Sequence, residues 1–175
     1  MKIILLGYMA SGKTSIGKKL AKQLNLSFID LDDYISQQEN LSVTAIFKEK
    51  GEIYFRKKET YFLEELLKST KSFVLALGGG TPCYGDNLKI INLHSNSFYL
   101  KRSLESTYDK LSKLKNKHKR PLITSISNAD LKEFIAKHLF ERAPFYEQAA
   151  HIISVDSKTK KEIAKEIVLI QISNN

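Results

Sequence analysis

A short apolar run at residues 2–6 leads without a break into Gly7-Tyr8-Met9-Ala10-Ser11-Gly12-Lys13-Thr14, after which Ile16, Leu20 and Leu24 recur at helical spacing. The octapeptide fits the pattern G-x-x-x-x-G-K-[ST], and it has the strand before it and the helix after it that the pattern requires. Glycines let the backbone wrap so that its N–H groups converge on an anion. The helix that follows adds unpaired amides and the positive end of its dipole. In such a loop the lysine, Lys13, reaches the β- and γ-phosphates of a nucleotide, and the hydroxyl of Thr14 can ligate Mg²⁺. Gly7, Ala10, Ser11, Gly12, Lys13, Thr14 and Ser15 are therefore read as the cradle for ATP, with Thr14 on the metal. Ala10 stands where many such loops have glycine; if the backbone there has positive φ, the alanine is held under strain.

The rest of the chain repeats the alternation that the loop begins. Candidate strands are residues 2–6, 27–31, 73–77, 97–100 and 151–155, each short and rich in Ile, Leu, Val and Phe, as where both faces of a parallel sheet are covered. Ser42 is placed to cap a short helix that Gly51 stops. A longer helix from near Glu52 turns Phe55, Phe62, Leu63 and Leu66 inward. Another from near Asn128 does the same with Leu131, Phe134, Ile135, Leu139 and Phe140, and a last one spans about 159–170. Five strands with helical crossovers in 175 residues make one α/β domain, 1–175.

The composition narrows the function. The formal charge of +9 is concentrated: residues 101–120 hold eight Lys/Arg against Glu105 and Asp109, a net of +6 that leaves +3 for the other 155 residues. A nucleic-acid binder shows a broad basic face with aromatics for stacking; one basic segment suits a flap over a polyanion such as ATP. No nucleic-acid partner is expected. One cysteine, Cys83, and four scattered histidines give neither a disulfide nor a zinc site; Cys83 reads as a small apolar filler. No stretch approaches the roughly 20 apolar residues of a membrane span, and the first apolar run is too short for a secretion signal. A cytoplasmic protein with no membrane association is expected, acting as a monomer.

GTP-binding switches read guanine with N-K-x-D, and Asn116-Lys117-His118-Lys119 lacks the aspartate. The third strand ends in Gly78-Gly79-Gly80, without the acid that holds Mg²⁺ in many ATPases. The acids follow the second strand instead, as Asp30, Asp32 and Asp33. Asp30 and Asp32, two apart at a strand end, emerge on one side, at the carboxyl edge where such sheets bind ligands. Asp30 is assigned to the Mg²⁺ shell and Asp32 to the hydroxyl of an acceptor; Asp33 is read as a helix cap. Three consecutive glycines are of use where a ligand must touch backbone, although a flexible loop explains them equally well. Arg56 and Glu59 are three apart on one helix and can pair. Arg120, beside Pro121, can swing onto a γ-phosphate.

Together these residues resemble the shikimate kinase family, in the family's order and from Gly7 to Tyr146. The resemblance rests on Gly7–Thr14, Asp30-Leu31-Asp32, Phe55-Arg56 with Glu59, Gly78-Gly79-Gly80, Arg120-Pro121-Leu122 and Arg142-Ala143-Pro144-Phe145-Tyr146. It implies a P-loop fold like that of the nucleoside monophosphate kinases, with a parallel sheet in the order 2-3-1-4-5, a lid at about 110–124 and a substrate-binding helical region at about 32–62. It implies transfer of the ATP γ-phosphoryl group to the 3-hydroxyl of shikimate, a step in aromatic amino acid biosynthesis. Arg56 and Arg142 would clamp the shikimate carboxylate, with help from the backbone of Gly78, Gly79 and Gly80. Asp32 would orient and deprotonate the attacking hydroxyl, while Lys13, Mg²⁺ and Arg120 neutralise the moving phosphoryl group.

The sequence departs from that family at Lys110, where relatives often carry an arginine that stacks on adenine; lysine has no planar group to stack. The segment 113–119 is also longer and more basic than usual. The rival readings are another small-molecule kinase, acting on gluconate or AMP, and a module that binds nucleotide or nucleic acid without catalysis.

Overall fold

A computed structural model describes residues 1–113 and 121–173. Five parallel strands, β1 (Lys2–Leu6), β2 (Ser27–Asp30), β3 (Phe73–Ala76), β4 (Asn96–Lys101) and β5 (His151–Ser154), form one sheet in the order β2-β3-β1-β4-β5. Alternation along the central strand builds two cores at once. Ile4 and Leu6 of β1 face one layer and Ile3 and Leu5 the other, and all four are wholly buried. The second layer is closed by α1 (Lys13–Leu24) and by the last helix, through Ile16, Leu20, Ile163 and Ile167.

On the first face lie α2 (Leu31–Glu39), α3 (Val43–Lys68) and α4 (Asn87–His94). They are followed by α5 (Leu104–Leu111), the short α6 (Pro121–Thr124), α7 (Asn128–Tyr146) and, on the other face, α8 (Lys160–Ser173). The Ser42 hydroxyl accepts from the Ala45 N–H at 3.1 Å, which caps α3. Gly51, at φ 82 and ψ 170, breaks α3; a side chain at that dihedral pair would be strained. The break lets Val43, Thr44 and Phe47 share a cavity wall with Phe55, Arg56 and Glu59.

Three sequence expectations need correction. β2 ends at Asp30 and α2 starts at Leu31, so Asp33 lies inside the first turn and caps nothing. Asp30 takes the cap position without a capping bond, because its carboxylate is used by Thr14. The edge strands are not buried on both faces: Ser27 and Ile152 are exposed, since the helical layers leave the margins of the sheet partly uncovered. Phe140 is 84% exposed, on a helix whose inward face is held by Leu131 and Ile135. Of the segment 110–124 expected as a lid, only the two ends are among the described residues. Lys110 belongs to α5, and Pro121–Thr124 are helical with Ile123 buried. Arg120 and the rest of 114–120 lie outside the described residues.

Candidate active site

The loop from β1 to α1 turns on three residues of positive φ, Gly7 at φ 139, Ala10 at φ 64 and Gly12 at φ 104. Glycine adopts such dihedrals freely; alanine does so at a cost of about 1–2 kcal/mol. A cross-link reaches the alanine: Lys110 Nζ, from the last turn of α5, donates to the Ala10 carbonyl at 2.8 Å. Lys13 Nζ bridges the loop, donating to the carbonyls of Gly7 at 2.8 Å and Tyr8 at 3.0 Å. It thus sits across the space that the loop amides surround, where phosphate oxygens could take over those bonds. Ser15 Oγ donates to the Gly12 carbonyl at 3.1 Å, and Ser11 is fully buried beneath the turn. Thr14 Oγ1 donates to Asp30 Oδ2 at 2.9 Å, which joins the head of α1 to the end of β2.

Beside this loop opens a cavity of about 430 Å³. Met9, Phe47, Phe55 and Leu122 supply apolar wall, and Asp32, Arg56, Glu59, Arg142 and the three glycines supply the polar lining. Asp32 enters from the first turn of α2. Burial, reinforced by the neighbouring charges of Asp30 and Glu59, pushes its carboxyl up to about 6 against the opposing pull of Lys13 and Arg56. A carboxylate tuned this close to neutrality is an effective general base.

Glu59 is the buried anchor of the site. It has no exposed surface; one oxygen accepts from Thr81 Oγ1 at 2.6 Å and the other from Arg56 Nη1 at 2.7 Å. Asn87 extends the chain, donating to the Thr81 carbonyl and accepting from Thr60 Oγ1, each at 2.9 Å. The Arg56 guanidinium is thereby held on one side and open to the cavity on the other. The glycines fit between these groups. A Cβ on Gly80 would lie 2.7 Å from Arg56 Nη2, and one on Gly78 would lie 3.0 Å from Asp32 Oδ1 and 3.1 Å from Glu59 Oε1. Only glycine lets the backbone run this close to both charges. Arg142 approaches from α7, with its guanidinium 5.9 Å from the centre of the buried Tyr8 ring. Tyr8 in turn contacts His138 of α7, with 3.4 Å between its hydroxyl and Nδ1.

A carboxyl group, two guanidinium groups and a phosphate loop converge on one crevice. The sequence model for "Shikimate kinase" matches residues 9–171. The chain belongs to the shikimate kinase family. It is 46% identical over 167 residues to the shikimate kinase of Flavobacterium psychrophilum, covering 95% of this chain and 96% of that one. The crystal structure of shikimate kinase from Bacteroides thetaiotaomicron superposes with a TM-score of 0.89 at 32% identity, over 98% of both chains. The solved structure of the Acinetobacter baumannii shikimate kinase in complex with shikimate superposes with a TM-score of 0.87 at 29% identity, over 99% of this chain and 94% of that one. Like other shikimate kinases, this chain is an ATP-dependent phosphotransferase.

Of the residues singled out in the sequence, the structure brings Asp32, Arg56, Arg142 and Gly78–Gly80 to one cavity and sets Thr14 against Asp30. Lys110 lies against the phosphate loop. Arg120 falls outside the described residues. Cys83 is half-buried next to the glycines, where burial raises its thiol pKa against the two nearby arginines. Sequence reasoning missed Thr81 and Asn87, which support the site from behind, and quoted Tyr146 only as the end of a motif, with no role; its phenol donates to the Gly79 carbonyl. Tyr146 could have been found from its place one helical turn after Arg142.

Proposed function

We propose that this shikimate kinase phosphorylates the 3-hydroxyl of shikimate with ATP through the residues of this crevice. The observation that carries the reading is the pairing, in one cavity, of the raised carboxyl of Asp32 with the two guanidinium groups of Arg56 and Arg142. Arginine forks match a carboxylate in bidentate geometry, so the acid group of shikimate binds between Arg56 and Arg142, with the backbone of Gly78, Gly79 and Gly80 beside it. Asp32 accepts the hydrogen bond of the attacking hydroxyl. That oxygen forms a bond to the γ-phosphorus as the bond from phosphorus to the β–γ bridging oxygen breaks. ADP leaves with the electron pair, and Asp32 takes the hydroxyl proton. Lys13 leaves the loop carbonyls for the β- and γ-phosphates, and Arg120 from the proposed lid at about 110–124 neutralises the moving group. Gly7, Ala10, Ser11, Gly12 and Ser15 cradle the phosphates, and Lys110 holds the loop.

Thr14 and Asp30 fit Mg²⁺. Their hydroxyl and carboxylate oxygens are 2.9 Å apart at the mouth of the loop. Two hard oxygen donors of this kind suit Mg²⁺, which Thr14 and Asp30 would hold. When bound, the ion supplies charge neutralisation on the β- and γ-oxygens.

We further propose a cytoplasmic monomer that works on small molecules, without nucleic-acid or membrane partners; no described helix is long and apolar enough to cross a membrane. ADP release measured with shikimate, gluconate and AMP in turn tests the assignment. Shikimate alone is expected to support turnover; phosphorylation of AMP or gluconate without shikimate activity would reject it.

A further inference from the structure

Arg142 and Tyr146 stand four residues apart on α7 and share a face. Tyr146 is fully buried, its ring 5.1 Å from that of Tyr99 and its O–H donating to the Gly79 carbonyl at 2.5 Å. The same glycine touches both helix residues: a Cβ built on it would lie 3.5 Å from Arg142 Nη1 and 3.8 Å from the Tyr146 oxygen. The next glycine, Gly80, rests on Arg56 from the other side. The glycine run is thus a thin partition between the two guanidinium groups. The peptide joining Gly79 to Gly80 is trans and planar, so anchoring its carbonyl on Tyr146 directs the Gly80 N–H the opposite way. Glycine offers no side chain to hold that peptide plane; the phenol supplies the restraint.

We propose that Tyr146 is a positioning residue for carboxylate recognition: its hydroxyl locks the Gly79–Gly80 peptide and so fixes the separation of Arg142 and Arg56. The inference rests on the reading of the cavity as the shikimate site. Burial drives the phenol well above its ordinary pKa, so Tyr146 remains a donor at any pH at which the protein works. The Tyr146 hydroxyl is engaged by the Gly79 carbonyl and lies beside the Arg142 guanidinium, both of which line the cavity, so its effect is expected on acceptor binding and not on ATP binding.

The test is Tyr146→Phe, which keeps the ring and removes one oxygen. Loss of a buried hydrogen bond that leaves its carbonyl unpaired is expected to raise KM for shikimate about tenfold. KM for ATP should stay within about twofold and kcat within about threefold, with the melting temperature checked alongside. Shikimate methyl ester provides the control, because it lacks the anionic carboxylate. If Tyr146 acts through the arginine clamp, the substitution should change turnover of the ester by less than about twofold. An unchanged KM for shikimate would overturn the inference. So would equal losses on acid and ester, or a parallel decline of kcat with both KM values unmoved, which would mark a purely structural role. Failure of the wild-type chain to phosphorylate shikimate would overturn the functional reading and this inference together. Normal wild-type turnover with an indifferent Tyr146→Phe variant would overturn the inference alone.

Discussion

Asp32→Asn should stabilise the protein while disabling it, and the size of the gain should depend on pH. The Asp32 carboxyl has a pKa of 3.8 in an unperturbed setting and about 6 in the folded chain, raised first by burial and then by Asp30 and Glu59. A raised carboxyl binds its proton more tightly folded than unfolded, so below the unfolded pKa it costs nothing. The cost grows as pH rises between the two values and is complete above the folded one. Two pH units at about 1.4 kcal/mol each set a ceiling of about 3 kcal/mol at pH 7, falling to about 1.5 kcal/mol at pH 5. One edge of the carboxylate still meets water in the open cavity, so about half the ceiling, roughly 1.5 kcal/mol at pH 7, is the expected value. For a chain of this size that corresponds to about 3–6 °C in Tm. Asparagine keeps the shape and removes the charge, so ligand-free melts of the two proteins from pH 4 to pH 8 isolate the term. The variant should melt higher at pH 7, and the gap should close towards pH 4. A variant that melts at or below wild type at pH 7, or a gap that does not change with pH, would refute the electrostatic account of Asp32.

The same group fixes the acid limb of activity. The working form of Asp32 is the carboxylate, so kcat/KM for shikimate should fall about tenfold per pH unit below about pH 6; a profile flat down to pH 5 would remove Asp32 as the base. Arg56→Ala and Arg142→Ala should each weaken shikimate binding by about 2 kcal/mol or more, roughly 30-fold, and leave ATP binding little changed. The two should differ in stability. Arg56→Ala also strips the buried Glu59 of its cation, at a cost of about 3–5 kcal/mol, so calorimetry should show a large loss of Tm for Arg56→Ala and a small one for Arg142→Ala.

How far this could be read from sequence follows physical lines. The sheet and its order were within reach because the strand patterns are local and the motif order matched a family. The phosphate loop was legible because its chemistry is contiguous, from Gly7 to Thr14. Arg56 and Glu59 were legible as a pair because helical spacing links them. What lay hidden was long-range. Nothing local says that Glu59 meets Thr81, that Lys110 reaches Ala10 across 100 residues, or that Tyr146 meets Gly79. The errors are instructive in the same way. Asp33 has the composition of a cap, but the helix starts at Leu31, directly where β2 ends, which leaves Asp33 inside its first turn. Phe140 extends the apolar pattern of α7, yet only tertiary packing decides how wide a helix face is covered.

The tie between Lys110 and Ala10 also admits a quantitative test. Left-handed dihedrals cost alanine about 1–2 kcal/mol and glycine little, so Ala10 at φ 64 carries a strain that a contact from outside the loop can offset. The ammonium of Lys110, 2.8 Å from the Ala10 carbonyl, is placed to do so. If it does, its value depends on what residue 10 is: large when the turn is strained, smaller when glycine makes the turn without help. Lys110→Met should therefore raise KM for ATP more in the native chain than in an Ala10→Gly background. The coupling between the two changes should amount to about 1 kcal/mol, close to fivefold. Any direct contact of Lys110 with the nucleotide is common to both backgrounds and cancels from the cycle. Strict additivity would mean that Lys110 serves ATP in some way other than through the turn, and that the loop holds Ala10 in its left-handed shape unaided.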